Sequence, residues 1–217
     1  MDGFTLSRIF LNLLIATKWT IILSLIAFIG GGLIGALIAL MRISSNRWVS
    51  RLSWMYIEFF QGTPLLLQLF LAFFGISVVT GINLSPLVAA ALALTAYTSA
   101  FLGDIWRGAI QAVPRGQWQA ASAIGFGYFD QLKLIILPQA VRLAIAPTVG
   151  FLVQVIKGTS LASIIGFTEL SRAASLINNV TLQSLLIFGL AGLIYFALCY
   201  PLSTWSQQLE KKLAYKA

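Results

Sequence analysis

Long uncharged intervals separate the few charges in this sequence. Lys18 to Arg42 encloses 23 uncharged residues, Glu58 to Asp104 encloses 45, Arg142 to Lys157 encloses 14 and Arg172 to Glu210 encloses 37. A helix that crosses a bilayer needs about 20 apolar residues at a rise of about 1.5 Å each. The first interval therefore holds one span. The second holds two, parted by the turn-forming run Thr80, Gly81, Ile82, Asn83, Leu84, Ser85 and Pro86. The third covers only about 21 Å at helical rise, short of a ~30 Å hydrocarbon core. Its span must run on past Lys157, which places a lysine within or at the rim of the bilayer. The last interval supplies a fifth span, Leu182 to Leu202, behind a more polar lead-in with Asn178, Asn179 and Thr181. The expectation is a single all-α integral membrane domain over residues 1–217, with spans at 19–41, 56–80, 86–104, 143–161 and 182–202.

Composition removes the other classes. Hydrophobic residues make up 59% and charged residues 9% of the chain, against roughly 25% charged in a soluble domain. Disorder is excluded by the apolar content, and a disulfide scaffold by Cys199 being the single cysteine. Without histidine there is no Ser/His/Asp or Cys/His system and no histidine metal site. No catalytic residue and no metal ligand set is expected.

The basic residues set an orientation. Arg42, Arg47 and Arg51 follow the first span, and Arg107, Arg115, Lys133 and Arg142 follow the third. Lys211, Lys212 and Lys216 close the chain. An N-terminus outside and a C-terminus in the cytosol put these ten of the 14 basic residues inside. The net charge of +8 then reads as topology and lipid contact, not as a nucleic-acid footprint. Residues 1–18 place Phe4, Leu6, Ile9, Phe10, Leu13 and Leu14 at helical spacing among polar residues, which predicts an amphipathic interfacial helix. A cleaved leader fits poorly, because Asp2 stands where positive charge is expected.

Residues 107–142 are too polar to span and too apolar for a loose linker. The alanine-rich Gln117 to Ile124 predicts a short helix that Gly125 ends; Gly127 and Asp130 start another, and Pro138 interrupts it. Gln119, Ala120, Ala121, Gly125, Ile135, Leu137 and Pro138 have the spacing of a known signature: Glu-Ala-Ala, three residues, Gly, nine residues, Ile, one residue, Leu-Pro. In this it resembles permease subunits of ATP-binding cassette importers. Tyr56 to Leu67, Asp104 to Ile110 and Lys157 to Leu161 resemble the polar amino acid branch of that family, in matching order along the chain.

The resemblance implies a five-span permease that translocates a polar amino acid by alternating access. It implies that Gln119, Ala120, Ala121, Gly125, Leu137 and Pro138 form a coupling helix loop docked on separate ATPase subunits. Gln119 replaces the family's glutamate and gives up charge-assisted contacts. The implied partners are an ATPase dimer, a second permease forming a homo- or heterodimer, an extracytoplasmic amino-acid-binding protein and the lipid of the bacterial inner membrane, with no nucleic acid. No Gly-Lys dipeptide occurs, so the chain has no P-loop. It is expected to bind no cofactor; ATP and Mg belong to the partner ATPase. An ion-coupled secondary transporter and a non-transporting scaffold are the alternatives; the first would usually show internal repeats.

The remaining candidates are polar groups inside apolar surroundings. Glu58, Asp104 and Arg107 read as a cytosolic gate or substrate exit, or as an ion-pair latch at the membrane rim, with Asp104 and Arg107 on one helix face. Gln61 stands where many relatives carry arginine. Lys157, followed by Gly158, Thr159 and Ser160, reads either as a contact for the substrate carboxylate or as a lysine snorkelling to headgroups. Relatives often carry aspartate at Gly158. Gly31 and Gly35 form a Gly-x-x-x-Gly pattern, read either as close helix contact, within one chain or between two, or as a chance match in an apolar helix.

Overall fold

The structure, a computed structural model, describes residues 5–214. Asp2, Phe4 and Lys216 lie outside the described residues. Eight helices are described: α1 Leu6–Arg42, α2 Arg47–Gly62, α3 Leu65–Thr80, α4 Pro86–Ala112, α5 Arg115–Ala123, α6 Tyr128–Ser163, α7 Leu170–Thr181 and α8 Ser184–Ala214. Four of them are long and apolar enough to cross a bilayer alone, and α2 with α3 makes a fifth, broken span.

No Pro or Gly falls between Thr5 and Gly30, and α1 runs unbroken through the expected interfacial stretch into the first span. The stretch expected to span at 56–80 is instead bent. The axes of α2 and α3 turn by 103° at Thr63 and Pro64, because Pro64 has no N–H and forces Thr63 into an extended conformation (φ −112°, ψ 142°). In an unbroken helix residue 64 would donate to the Phe60 carbonyl. The Gln68 side-chain amide donates there instead, at 2.9 Å, and also reaches the Thr63 carbonyl (3.1 Å) and Thr63 Oγ1 (2.9 Å).

Pro138 behaves differently from the sequence expectation. The helix begun at Tyr128 passes through it without interruption to Ser163. A π turn over Gln131–Ile136 ends two residues before the proline, which falls in the first turn of the α-helical stretch that follows, where a missing N–H is tolerated. The second short helix of the loop is therefore the first turn of the fourth span.

Small residues set the central packing. A Cβ on Gly31 would stand 2.6 Å from Thr98 Cβ, and one on Gly35 would stand 3.0 Å from the Ser99 carbonyl oxygen. The glycine pattern thus serves α1 against α4 within one chain. Tyr56 of α2 clamps the same place, its hydroxyl 2.8 Å from Ser99 Oγ and donating to the Ala96 carbonyl at 3.3 Å. Leu23, Leu69, Leu94, Phe151 and Val155 join α1, α3, α4 and α6 in the main core. A second core packs α7 between the start of α1 and α8 through Ile9, Leu13, Leu170, Ala174 and Ile187. Outward-facing Leu33, Leu37, Leu185 and Leu193 are more than half exposed. Such a surface suits hydrocarbon as its solvent.

Candidate functional site

The helical elbow formed by α5 and the start of α6 is built from the sequence upward. Gly125 sits at φ +88°, a conformation that costs an L-residue about 1–2 kcal/mol. The Phe126 N–H donates to Ala121 O (3.2 Å) and the Gly125 N–H to Ser122 O (3.0 Å), which satisfies the carbonyls at the end of α5. The Gln131 side-chain amide, buried behind the corner, donates to Phe126 O (2.7 Å) and Ser122 Oγ (3.0 Å). Trp118 stacks on Tyr128 with centroids 6.1 Å apart, and the Tyr128 hydroxyl donates to Ile43 O (3.3 Å) between α1 and α2. Below it, Ile110, Val113, Leu132 and Ile136 form a separate core.

This bracing leaves one face of α5 bare. Gly116, Gln119, Ala120 and Ala123, at spacings of three and four, are all exposed, and Ile124 continues the ridge at 68% exposure. Ala121 points inward and is buried. Of the signature residues, Gln119 and Ala120 therefore lie on the free face, Ala121 and Gly125 shape the elbow, and Leu137 and Pro138 stand at the π turn that carries it into the bundle. An ordered helix with small, exposed side chains can meet a concave partner backbone to backbone.

The candidate path residues fall into separate groups. Asp104 and Arg107 pair on α4: Asp104 Oδ1 accepts from Arg107 Nε at 2.9 Å and lies 2.8 Å from Nη2, while Nη1 donates to Gln111 Oε1 at 2.8 Å. Glu58 and Gln61 are exposed on α2 and make no side-chain hydrogen bond or ion pair with that couple. Lys157 is exposed at the end of α6. The Thr159 hydroxyl is buried and donates to Ile156 O (2.7 Å), and the Ser160 hydroxyl donates to Lys157 O (2.7 Å). Both donors thus serve the helix's own carbonyls, leaving their oxygens free only to accept. Gly158 has a packing reason: its Cβ would lie 3.1 Å from Leu65 at the start of α3. The Lys157–Leu161 segment and the broken span meet here.

Sequence reasoning passed over two residues. Gln68 holds the bend. Glu169, a loop charge in the sequence, is fully buried and caps α7, accepting from the Arg172 N–H at 2.9 Å. Its other oxygen accepts from the Tyr195 hydroxyl of α8 (2.7 Å) and from Thr20 of α1 (3.4 Å). A carboxylate immediately before an amphipathic helix was the available signal for the cap; its partners are remote in sequence and gave none. A cavity of about 480 Å³ between α1, α4 and α6 is lined by residues that include Ala36, Leu40, Ile110, Ala140 and Val149, with no ionisable side chain. Its one notable polar pair, Trp106 Nε1 to Thr148 Oγ1 (2.9 Å), is already satisfied. It is no receptacle for a charged solute.

A multi-pass helical bundle with one broken span and a braced, outward-facing elbow is the architecture of a transporter's membrane subunit. Residues 31–215 match the family described as the binding-protein-dependent transport system inner membrane component, and the chain belongs to that family. It is 36% identical over 200 residues to the probable amino-acid ABC transporter permease protein YckA of Bacillus subtilis, covering 91% of this chain and 87% of that one. It is 33% identical over 205 residues to the histidine/lysine/arginine/ornithine permease HisM of Salmonella typhimurium, covering 90% and 86%. A solved amino acid ABC transporter with histidines superposes with a TM-score of 0.89 at 30% identity, covering 98% of this chain and 100% of that one. The MetNI methionine transporter, at 17% identity and TM-score 0.71, shares the fold. The chain is a multi-pass membrane permease of the ATP-binding cassette class, and neither a secondary transporter nor a scaffold is favoured.

Proposed function

We propose that the chain translocates a polar amino acid across the bacterial inner membrane, with its N-terminus outside and its C-terminus in the cytosol. The observation that carries the energetic half of this reading is the bare ridge Gly116, Gln119, Ala120, Ala123 and Ile124 on a braced elbow. An ATPase dimer gripping that ridge would move the elbow as a rigid body, since Gly125, Gln131 and Tyr128 tie it to α6 and to the α1–α2 turn. ATP and Mg are held by those partners, and this chain holds neither. A second permease, identical or not, completes the pathway, and an extracytoplasmic binding protein delivers the solute.

On the substrate side, Lys157 is exposed where its segment meets the start of α3 and is suited to the carboxylate shared by all amino acids; Thr159 and Ser160 shape its surroundings. Glu58, Gln61, Asp104 and Arg107 flank the exit. The relatives that transport amino acids support the substrate class. Uptake into proteoliposomes containing the purified permease, ATPase and binding protein tests the reading. ATP-dependent accumulation of a polar amino acid is expected, and accumulation driven by an ion gradient without ATP hydrolysis would overturn it.

A further inference from the structure

The turn between α1 and α2 carries a basic pocket that the transport reading does not use. A cavity of about 350 Å³ is lined by Arg42, Arg47, Arg51, Ser44, Ser45 and Trp54. No carboxylate lines it, and among the described residues none of the three arginines is paired with one. Arg42 is held in place: its Nη1 donates to Ser50 Oγ (2.9 Å), and that hydroxyl donates back to Arg42 O (3.0 Å). Three guanidinium groups around one hollow repel one another unless an anion joins them.

The position of the pocket says which anion. Arg42 ends a spanning helix, so the pocket lies at the membrane rim. Beside the Arg47, Arg51 and Trp54 stripe, α2 exposes a parallel apolar stripe of Trp48 (77%), Leu52 (61%), Met55 (56%) and Phe59 (54%), spaced by three and four residues. A free inorganic anion would need the first stripe and gain nothing from the second. An anionic phospholipid uses both.

We propose that this pocket is a binding site for one anionic phospholipid, its phosphate held by Arg42, Arg47 and Arg51 and its acyl chains lying along Trp48, Leu52, Met55 and Phe59. Guanidinium groups match phosphate oxygens in fork geometry, and Ser44 and Ser45 offer hydroxyls to the same headgroup. The site stands on the membrane reading of α1 and α2 and is independent of the transported solute.

The test uses the full chain, with its co-purifying subunits, reconstituted in nanodiscs of phosphatidylcholine and phosphatidylglycerol and released for native mass spectrometry. Phosphatidylglycerol is expected to be retained in preference to phosphatidylcholine. Arg47→Gln with Arg51→Gln, both on exposed side chains, should lower that preference on the order of tenfold, and Arg47→Gln alone by a smaller factor. Lys211→Gln with Lys212→Gln removes the same charge elsewhere and should leave the preference intact. Equal loss in the lysine pair, or no preference in the unaltered protein, would overturn the proposal. So would complete displacement of the lipid by inorganic phosphate, which would make the pocket a free-anion site. Retained helix content and subunit co-purification in the arginine variants separate loss of the site from loss of the fold.

Discussion

Gly31 shows how little room one residue can have. The Thr98 side chain that its Cβ would meet is fully buried and the Ser99 N–H stands 3.1 Å away, so neither α1 nor α4 can yield cheaply. Gly31→Ala should cost about 1–3 kcal/mol, read as a lower thermal midpoint of the purified protein in detergent. Gly32→Ala one position on meets nothing nearer than Trp106 at 3.7 Å and should be near neutral. Equal effects at the two positions would remove the close-approach explanation. Glu169 is the second residue whose meaning lies in its surroundings. Glu169→Ala would leave the Tyr195 hydroxyl, Thr20 and the first turn of α7 without their acceptor, at about 1–3 kcal/mol for the unsatisfied groups. Tyr195→Phe removes one of the same bonds. A double-mutant cycle should therefore show coupling of about 0.5–3 kcal/mol, whereas simple additivity would mean that the carboxylate acts only as a cap.

At the scale of elements, the bend between α2 and α3 rests on Gln68. Gln68→Ala orphans the Phe60 and Thr63 carbonyls and should destabilise the protein by about 1–3 kcal/mol. Gln68→Glu keeps the shape but has no donor when ionised, so it should be at least as damaging; tolerance of Glu would show that only volume matters at this position. The elbow behaves by a different rule. Nothing lies within 4 Å of a Cβ on Gly125, so the backbone angle alone resists substitution. Uptake per ATP hydrolysed should fall in the order Gly, Asn, Ala, because asparagine tolerates the left-handed region better than alanine does, with membrane insertion unchanged in all three. A fall that tracked side-chain size instead would place a partner surface against that position. These two elements also mark what the sequence can and cannot tell. The elbow was legible because its determinants are local: a short alanine-rich helix, a glycine, and a proline at fixed offsets. A break at Pro64 was legible too, as a kink or a helix end, but its 103° angle was not, because an apolar run has no direction, and a proline can also sit, as at Pro138, in a continuous helix with a π turn. Glu169 was hidden for a related reason, since Thr20 lies 149 positions before it and Tyr195 26 after it.

For the whole molecule, the distribution of charge makes a claim that packing cannot. Arg42, Arg47 and Arg51 lie at the same end as the elbow, joined to it by the Tyr128 bond to Ile43. Arg115 and Lys133 lie in the elbow, Arg107 in the last part of α4 that leads into it, and Arg142 further along α6. The opposite connection, from Gly81 to Ser85 between α3 and α4, has no charge. Positive charge is retained on the cytosolic side during insertion, so the elbow end should face the ATPases and the Gly81–Ser85 turn the outside. A membrane-impermeant thiol reagent can read this directly. Cys199 is buried and gives little background. In right-side-out vesicles Asn83→Cys should label without permeabilisation, and Ser45→Cys only after it. Both positions lie in connections between helices, and both side chains are exposed or partly exposed. The reverse pattern would put the ridge of α5 on the face away from cytosolic ATP, and the proposed coupling would then have no source of energy.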